Sequence, residues 1–201
     1  MEQVSYLGNQ LQLPVCDTDQ VVYRCVPKLD YIEADPRSLL YTSGNVGRCN
    51  PEGVFCLYVA EAEETALLEF RSYGTNAEVL VFQSQLKARA LLDLRDPEHW
   101  EKLGLEEKDL MAPYLPRLGR KEKMPLHELA QNIAARQVSY SNDDGGEVLI
   151  VGVLYSSVTA AKKGQEATNI ALFRDAFDLP DELIPEEMKP SLAPTSADRW
   201  P

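Results

Sequence analysis

One continuous block near the middle of the chain constrains the fold most strongly. The turn GRCNPEG at residues 47–53 leads into the apolar run VFCLYVA at residues 54–60 and then into EAEETALLEF. Glycine, asparagine and proline favour a turn, and an apolar run of seven residues is typical of a buried strand. In the last segment Ala62, Ala66 and Phe70 recur at helical spacing. The block therefore predicts a turn, a buried strand and a helix in direct succession.

Two charged residues in this block raise a chemical question. A surface turn does not require an arginine, yet Arg48 lies inside it. A carboxylate near the C-terminus of a helix opposes the helix dipole, yet Glu69 lies there. Each residue also has an ordinary explanation as a solvated side chain. Pattern alone leaves both readings open.

The remaining segments predict an α+β domain. Apolar runs at residues 21–26, 77–86, 87–94, 147–157 and 168–173 indicate strands. Residues 96–104 predict a helix that Asp96 caps and Gly104 ends, and residues 126–138 predict an amphipathic helix after Pro125. The NDDGG segment at residues 142–146 predicts a turn.

A chain of 201 residues with 44% hydrophobic residues has the size of a single domain. We divide it into an N-terminal extension at residues 1–20, a main domain at residues 21–177, and a C-terminal tail at residues 178–201. A charged insertion around residues 96–123 interrupts the main domain. Prolines and charges dominate beyond Asp178, which predicts a loose tail or a partner-binding arm.

Charge and cysteine content exclude several classes of function. The formal net charge of -12 opposes binding to a phosphate backbone, while a few arginines gathered in a pocket still allow a small anionic ligand. No export signal or membrane-length apolar run is present in the sequence, so we expect a soluble, cytoplasmic protein without a membrane partner. Four cysteines without a C-x-x-C pair, and only two histidines, predict reduced thiols and no metal site.

The order of five short motifs resembles the RES domain, a family of bacterial toxins named for its arginine, glutamate and serine. The motifs are YR at residues 23–24, GRCNPEG, LYVA at 57–60, ETALLE at 64–69 and LYSS at 154–157. The joined block from residue 47 to residue 69 is the most specific of them, and the similarity extends from about residue 21 to residue 173. One departure is Cys49, where the family usually has an aromatic residue.

The resemblance implies an ADP-ribosyltransferase-like fold with a mixed, largely antiparallel split sheet, flanking helices and a cleft for NAD. It implies an enzyme that uses NAD as a substrate, with phosphate as a possible co-substrate and no bound cofactor. The catalytic residues it implies are Glu69, Arg24 and Arg48. The arginines would also hold the diphosphate or an incoming phosphate, while Tyr58 would contact the nicotinamide ribose and Ser157 would orient the ribose or the amide.

The resemblance also implies a partner, a helix-turn-helix antitoxin that covers the entrance of the active site. The expected function is that of a toxin that hydrolyses or phosphorolyses NAD at the bond between nicotinamide and ribose. Two alternatives stay open at this point. One is a mono-ADP-ribosyltransferase acting on a protein, and the other is a non-catalytic NAD-binding or interaction module. A monomer and a homodimer are both open as well.

Overall fold

The computed structural model describes residues 1–28, 46–72, 74, 76–106, 110, 125–173 and 191–199. These residues form an α+β fold with two largely antiparallel sheets, which confirms the predicted fold class. The helices are α1 (Glu63–Ser72), α2 (Pro125–Ala134) and α3 (Val158–Ala161), and short 3-10 turns cover Pro97–His99 and Glu101–Leu103. The strands are β1 (Glu2–Tyr6), β2 (Asn9–Leu13), β3 (Val15–Pro27), β4 (Cys56–Ala60), β5 (Val79–Asp93), β6 (Ser139–Ser141), β7 (Glu147–Leu149), β8 (Gly152–Ser156), β9 (Thr168–Phe173) and β10 (Ser191–Arg199).

The smaller sheet joins the start of the chain to its middle. Its strand order is β2-β1-β6-β7, and every neighbouring pair is antiparallel. The NDDGG turn connects β6 to β7, as predicted, with the amide of Gly146 donating to the Asn142 side chain. The proposed extension at residues 1–20 thus contains β1, β2 and the first part of β3. The domain boundaries themselves stay predictions.

The larger sheet closes into a ring. Its order is β10-β5-β3-β4-β9-β8, and β8 also pairs with β5 in parallel. The pairing of β5 with β8 begins just after a bulge in β5. At the bulge, Arg89 and Ala90 of β5 together face the single residue Asp17 of β3. Ala90 adopts a left-handed φ of 62°, and its amide donates to the Asp17 carboxylate at 3.2 Å. Beyond the bulge, β5 is free to pair with β8.

The ring is split between β3 and β4, which share only one residue pair. Strand β3 pairs with β5 along nearly its whole length, yet it pairs with β4 only where Tyr23 faces Ala60. Because β4 ends at Ala60, the two strands diverge from that single contact along the rest of β4, which is the split expected of this fold. Helix α1 packs against both β3 and β4 at the split.

Alternate residues of the ring strands feed two apolar cores. Leu57 and Val59 of β4, with Ile170 of β9, belong to a cluster to which all five ring strands contribute, so this core fills the interior of the ring. Cys56, which precedes Leu57 on β4, and Phe173 at the end of β9 lie on the outer face of the ring. There they join a larger core that is shared with the small sheet and α2. Trp100 joins this larger core and donates its indole N–H to the carbonyl of Leu94.

Several sequence predictions differ from the structure. Residues 77–94 form one strand with a bulge rather than two strands, and residues 147–157 form two strands in different sheets rather than one. Residues 96–104 form 3-10 turns rather than an α-helix, although Asp96 caps them and Gly104 ends them as predicted. Of the predicted loose tail, residues 191–199 form β10 along β5.

Most of the predicted charged insertion lies outside the described residues. Its described residues are 96–106 and 110. In the described part of the chain, no helix is long and apolar enough to cross a membrane.

We predict that Gly152→Ala destabilises the protein because the ring leaves no room for a methyl group there. An added Cβ would lie 2.4 Å from the carbonyl oxygen of Ala171 and 3.1 Å from the Leu91 side chain. Relief of such a clash costs about 1–3 kcal/mol of unfolding free energy, measured by denaturant titration. Gln165→Ala, at an exposed position, is the control and should change stability by less than about 0.5 kcal/mol. Equal stability of the two variants would contradict the ring closure.

Candidate functional site

The split between β3 and β4 holds a cavity of about 210 Å³. Both diverging strands line it, together with the turn before β4, helix α1 and the strands β8 and β9. Its lining combines two arginines, one carboxylate and four aromatic rings. The lining residues are Tyr23, Arg24, Cys25, Gly47, Arg48, Tyr58, Val59, Ala60, Ala66, Glu69, Phe70, Tyr155 and Asn169. Four of the five predicted site residues are thus brought together around one cavity.

The carboxylate of Glu69 is held by three neutral side chains. Its Oε1 accepts from the Ser157 hydroxyl at 2.6 Å and from the Asn169 amide at 2.8 Å. Its Oε2 accepts from the Thr159 hydroxyl at 2.9 Å. These partners are the N-cap of α3, a residue of α3 itself and a residue of β9, so they tie helix α1 to α3 and to β9. A solvated surface glutamate would have no such partners.

Ser157, the fifth predicted residue, contacts Glu69 rather than the cavity. It is only 1% exposed, and its hydroxyl also accepts from the amide of Ala160 as the N-cap of α3. One hydroxyl therefore caps a helix and donates to the carboxylate at the same time. The predicted contact of Ser157 with a ligand stays a prediction, while its contact with Glu69 is direct.

The two arginines reach the cavity from different elements. Arg24 lies on β3 and is partly buried, and this burial lowers the pKa of its guanidinium to about 10, so that it stays cationic at neutral pH. Arg48 lies in the turn before β4, and its Nη1 donates to the carbonyl of Leu110 at 2.9 Å. Leu110 belongs to the charged insertion, which thereby orients one of the two site cations.

The turn that carries Arg48 is built around a buried asparagine. Asn50 is 1% exposed, and its amide nitrogen donates to the carbonyl of Val54 at 2.8 Å. The hydroxyl of Tyr58 donates to Asn50 Oδ1 at 2.6 Å and accepts from the amide of Cys49 at 2.8 Å. A Cβ on Gly47 would lie within 2.6 Å of the Asn50 and Tyr58 oxygens, so only glycine fits there. With its hydroxyl so occupied, Tyr58 offers the cavity mainly its ring.

A helix from the larger core supports the same turn. His127 of α2 lies 2.8 Å from the carbonyl of Gly47 through Nε2. A carbonyl can only accept, so this nitrogen carries the proton. His127 is buried, and this contact holds the turn against the larger core.

The thiols near the cavity are buried and unreactive. Cys49 is 1% exposed and hydrogen-bonded by the side chains of Tyr155 and Tyr58, so it lies in the core instead of forming a wall of the cavity. Burial raises its pKa to about 12, and burial also raises the pKa of Cys56 well above the ordinary value. Both effects keep these two thiols protonated at neutral pH.

Three functional candidates were missed in the sequence. Thr159 and Asn169 hold Glu69, and Asn50 organises the arginine turn. A signal existed for two of them. Asn169 is a lone amide in the apolar strand TNIALF, and Asn50 lies in a turn, where asparagine commonly bonds the nearby backbone. No local signal distinguishes Thr159.

Comparisons with known proteins agree with this architecture. Residues 21–192 match the model of the RES domain family. A solved structure, the crystal structure of the M. tuberculosis MbcT–MbcA toxin–antitoxin complex, contains a chain with a similar fold. The similarity has a TM-score of 0.51 at 13% sequence identity and covers 92% of this chain and 86% of that one. No curated protein matches the sequence.

We predict that Tyr58→Phe destabilises the fold, because it removes the partner of Asn50 Oδ1 and of the Cys49 amide. Leaving buried polar groups without partners costs about 1–3 kcal/mol, measured by denaturant unfolding. Tyr140→Phe is the control, because Tyr140 is only partly buried and lies on the small sheet. If both variants unfold at the denaturant midpoint of the wild type, the Tyr58 hydroxyl does not organise the turn.

Proposed function

Because the chain belongs to the RES domain family, we propose that it is the toxin of a toxin–antitoxin pair and that it degrades NAD. The reaction is cleavage of the bond between nicotinamide and ribose, with water or phosphate as the acceptor. One observation carries the proposal. A carboxylate, Glu69, is held by three neutral donors at a cavity that also receives the guanidinium groups of Arg24 and Arg48.

The chemistry of the bond explains the need for a carboxylate. When the ribose carbon separates from the nicotinamide nitrogen, the bonding electron pair leaves with the nitrogen, so nicotinamide departs as a neutral molecule. Positive charge then grows on the ribose in an oxocarbenium-like state, as it does in glycoside hydrolysis. A negative group fixed beside the ribose stabilises that state more than it stabilises the bound substrate. We assign this role to Glu69.

The two arginines suit the anionic part of NAD. The planar guanidinium group binds a phosphate through two parallel hydrogen bonds, which an ammonium group does not do. Within a chain of net charge -12, two cations on one cavity create a local site for the diphosphate or for an incoming phosphate. The rings of Tyr23, Tyr58 and Tyr155 add flat apolar surface for a nicotinamide or an adenine.

The acceptor completes the reaction. An oxygen of water or phosphate bonds to the ribose carbon on which the charge has grown, and the proton of an attacking water passes to solvent. The products are nicotinamide with ADP-ribose or with phosphorylated ADP-ribose. Transfer of ADP-ribose to a protein would use the same cavity and differs only in the acceptor. A non-catalytic module would not need a carboxylate aligned in this manner.

The proposal includes an antitoxin as protein partner. The similar fold of the M. tuberculosis chain was solved in a toxin–antitoxin complex. The family resemblance in the sequence makes a helix-turn-helix protein the expected type. Such a partner would supply the DNA binding that the acidic charge of this chain opposes.

We predict that the purified protein consumes NAD and releases free nicotinamide. Incubation with NAD, with and without phosphate, followed by chromatography of the products, distinguishes phosphorolysis from hydrolysis. NAD labelled in its adenine should leave the label in small molecules. Stable label on added cellular protein would instead support the transferase, and NAD that stays intact under every condition would exclude both enzymes.

We predict that Glu69→Gln keeps the fold and loses most of the turnover, because it removes the negative charge while keeping the size of the side chain. The loss should be about a hundredfold or more in kcat, the scale of one preorganised electrostatic group. Expression of the wild type should arrest growth of a bacterial host, whereas expression of Glu69→Gln should not.

Glu64→Gln is the matched control for this prediction. Glu64 lies on the same helix, is exposed, and does not line the cavity. Its loss should leave the rate unchanged and alter stability by less than about 0.5 kcal/mol. Equal rates for the two variants would mean that the Glu69 carboxylate has no part in the reaction.

A further inference from the structure

We infer that Asn169 and Thr159 are positioning residues for Glu69. Together they leave one hydrogen-bond acceptor position, on Oε2 of the carboxylate, open toward the substrate. This inference rests on the proposed function. Neither residue belongs to the motifs from which the family resemblance was read. Both donate directly to the carboxylate, Asn169 at 2.8 Å and Thr159 at 2.9 Å.

The position of Asn169 is fixed from both sides. On β9 its backbone faces Ala60 of β4 and Tyr155 of β8, so it lies in the middle of three paired strands. Its side chain is 5% exposed and lines the cavity, in a strand whose other residues are buried as well. An amide in such a strand loses its hydration on folding and needs a partner. That partner is Oε1 of Glu69.

Thr159 is fixed by a helix that Ser157 begins. It lies in the first turn of α3, whose N-cap is the hydroxyl of Ser157. The same cap residue donates to Oε1 while Thr159 donates to Oε2, so a single short helix holds both oxygens. The orientation of the carboxylate plane is thereby determined by two donors that are two residues apart in the sequence, and by Asn169 from a separate strand.

The neutrality of these donors matters for the chemistry. A lysine or arginine in their place would orient the carboxylate and also neutralise it, whereas hydroxyl and amide groups orient it and leave its negative charge for the ribose. An ionised carboxylate has about four acceptor positions. The pair Ser157 and Asn169 occupies those of Oε1, and Thr159 occupies one on Oε2. Among the residues that the structure describes, none donates to the remaining position on Oε2, which can accept a ribose hydroxyl.

The first experiment measures kcat and KM for NAD in a series at residue 159. Thr159→Val keeps the shape and removes the donor, and Thr159→Ser keeps the donor and removes a methyl group. We expect Thr159→Val to lower kcat by about tenfold to a hundredfold with little change in KM, because the reacting group is misplaced while the binding surface is kept. Thr159→Ser should restore most of kcat. A merely structural threonine would not show this rescue.

The second experiment measures the contact without using activity. Asn169→Asp replaces the donor with a carboxylate against Oε1, so it should lower the denaturant midpoint of unfolding. In a Glu69→Gln background the new amide can donate to that carboxylate, so the same Asn169→Asp change should shift the midpoint by a smaller amount. Asn132→Asp, on α2 and away from the cavity, is the control and should shift the midpoint equally in both backgrounds.

The outcomes separate this inference from the proposed function. A wild type that leaves NAD intact overturns both. An active wild type whose kcat is unchanged by Thr159→Val and Asn169→Asp overturns the inference alone. Equal midpoint shifts for Asn169→Asp in the two backgrounds overturn it as well. Reduced kcat, rescue by Thr159→Ser and unequal midpoint shifts together support it.

Discussion

The cavity depends on a single strand contact, the pairing of Tyr23 with Ala60. Backbone groups that diverge from a ladder lose their regular partners, so a sheet splits only where other elements compensate. Here β3 is secured by β5 on its other side, and β4 is secured by β9 along its full length. Each edge of the split is therefore rigid without help from the other. Because both edges are rigid, Arg24 on β3 and the ring of Tyr58 on β4 keep a fixed separation across the split.

A half-buried carboxylate with several hydrogen bonds, that of Glu69, links stability and function around this split. Removing water from a carboxylate is costly, and the hydrogen bonds to Glu69 offset that cost only while all its partners are in place. The partners are drawn from α3 with its N-cap and from β9, so the correct carboxylate geometry requires α1, α3 and β9 to be packed together. The turn that carries Arg48 follows the same rule, with the buried amide of Asn50 as its centre.

The sequence pattern was reliable for α2, which buries one face, and for β9, whose apolar run is buried throughout. It failed at residues 147–157, because both halves of that run are apolar and only ring closure directs them into different sheets. The motif resemblance identified the family and four residues that the structure gathers around one cavity. It could not identify the partners of Glu69, since Thr159 and Asn169 lie 90 and 100 positions away along the chain. Such contacts arise from topology, and even the lone amide of Asn169 in its apolar strand does not indicate which residue it contacts.

The buried thiols allow local opening of the protein to be measured by chemical labelling. Cys49 and Cys56 are buried, and burial raises the pKa of Cys49 to about 12 and that of Cys56 well above its ordinary value, so alkylation of the closed molecule is slow at neutral pH. Modification then proceeds through transient openings, whose free energy the labelling rate reports. Cys49 lies within the arginine turn itself, and Cys56 is the first residue of β4, to which that turn leads. Their separate labelling rates would show whether the turn and the strand open together or independently.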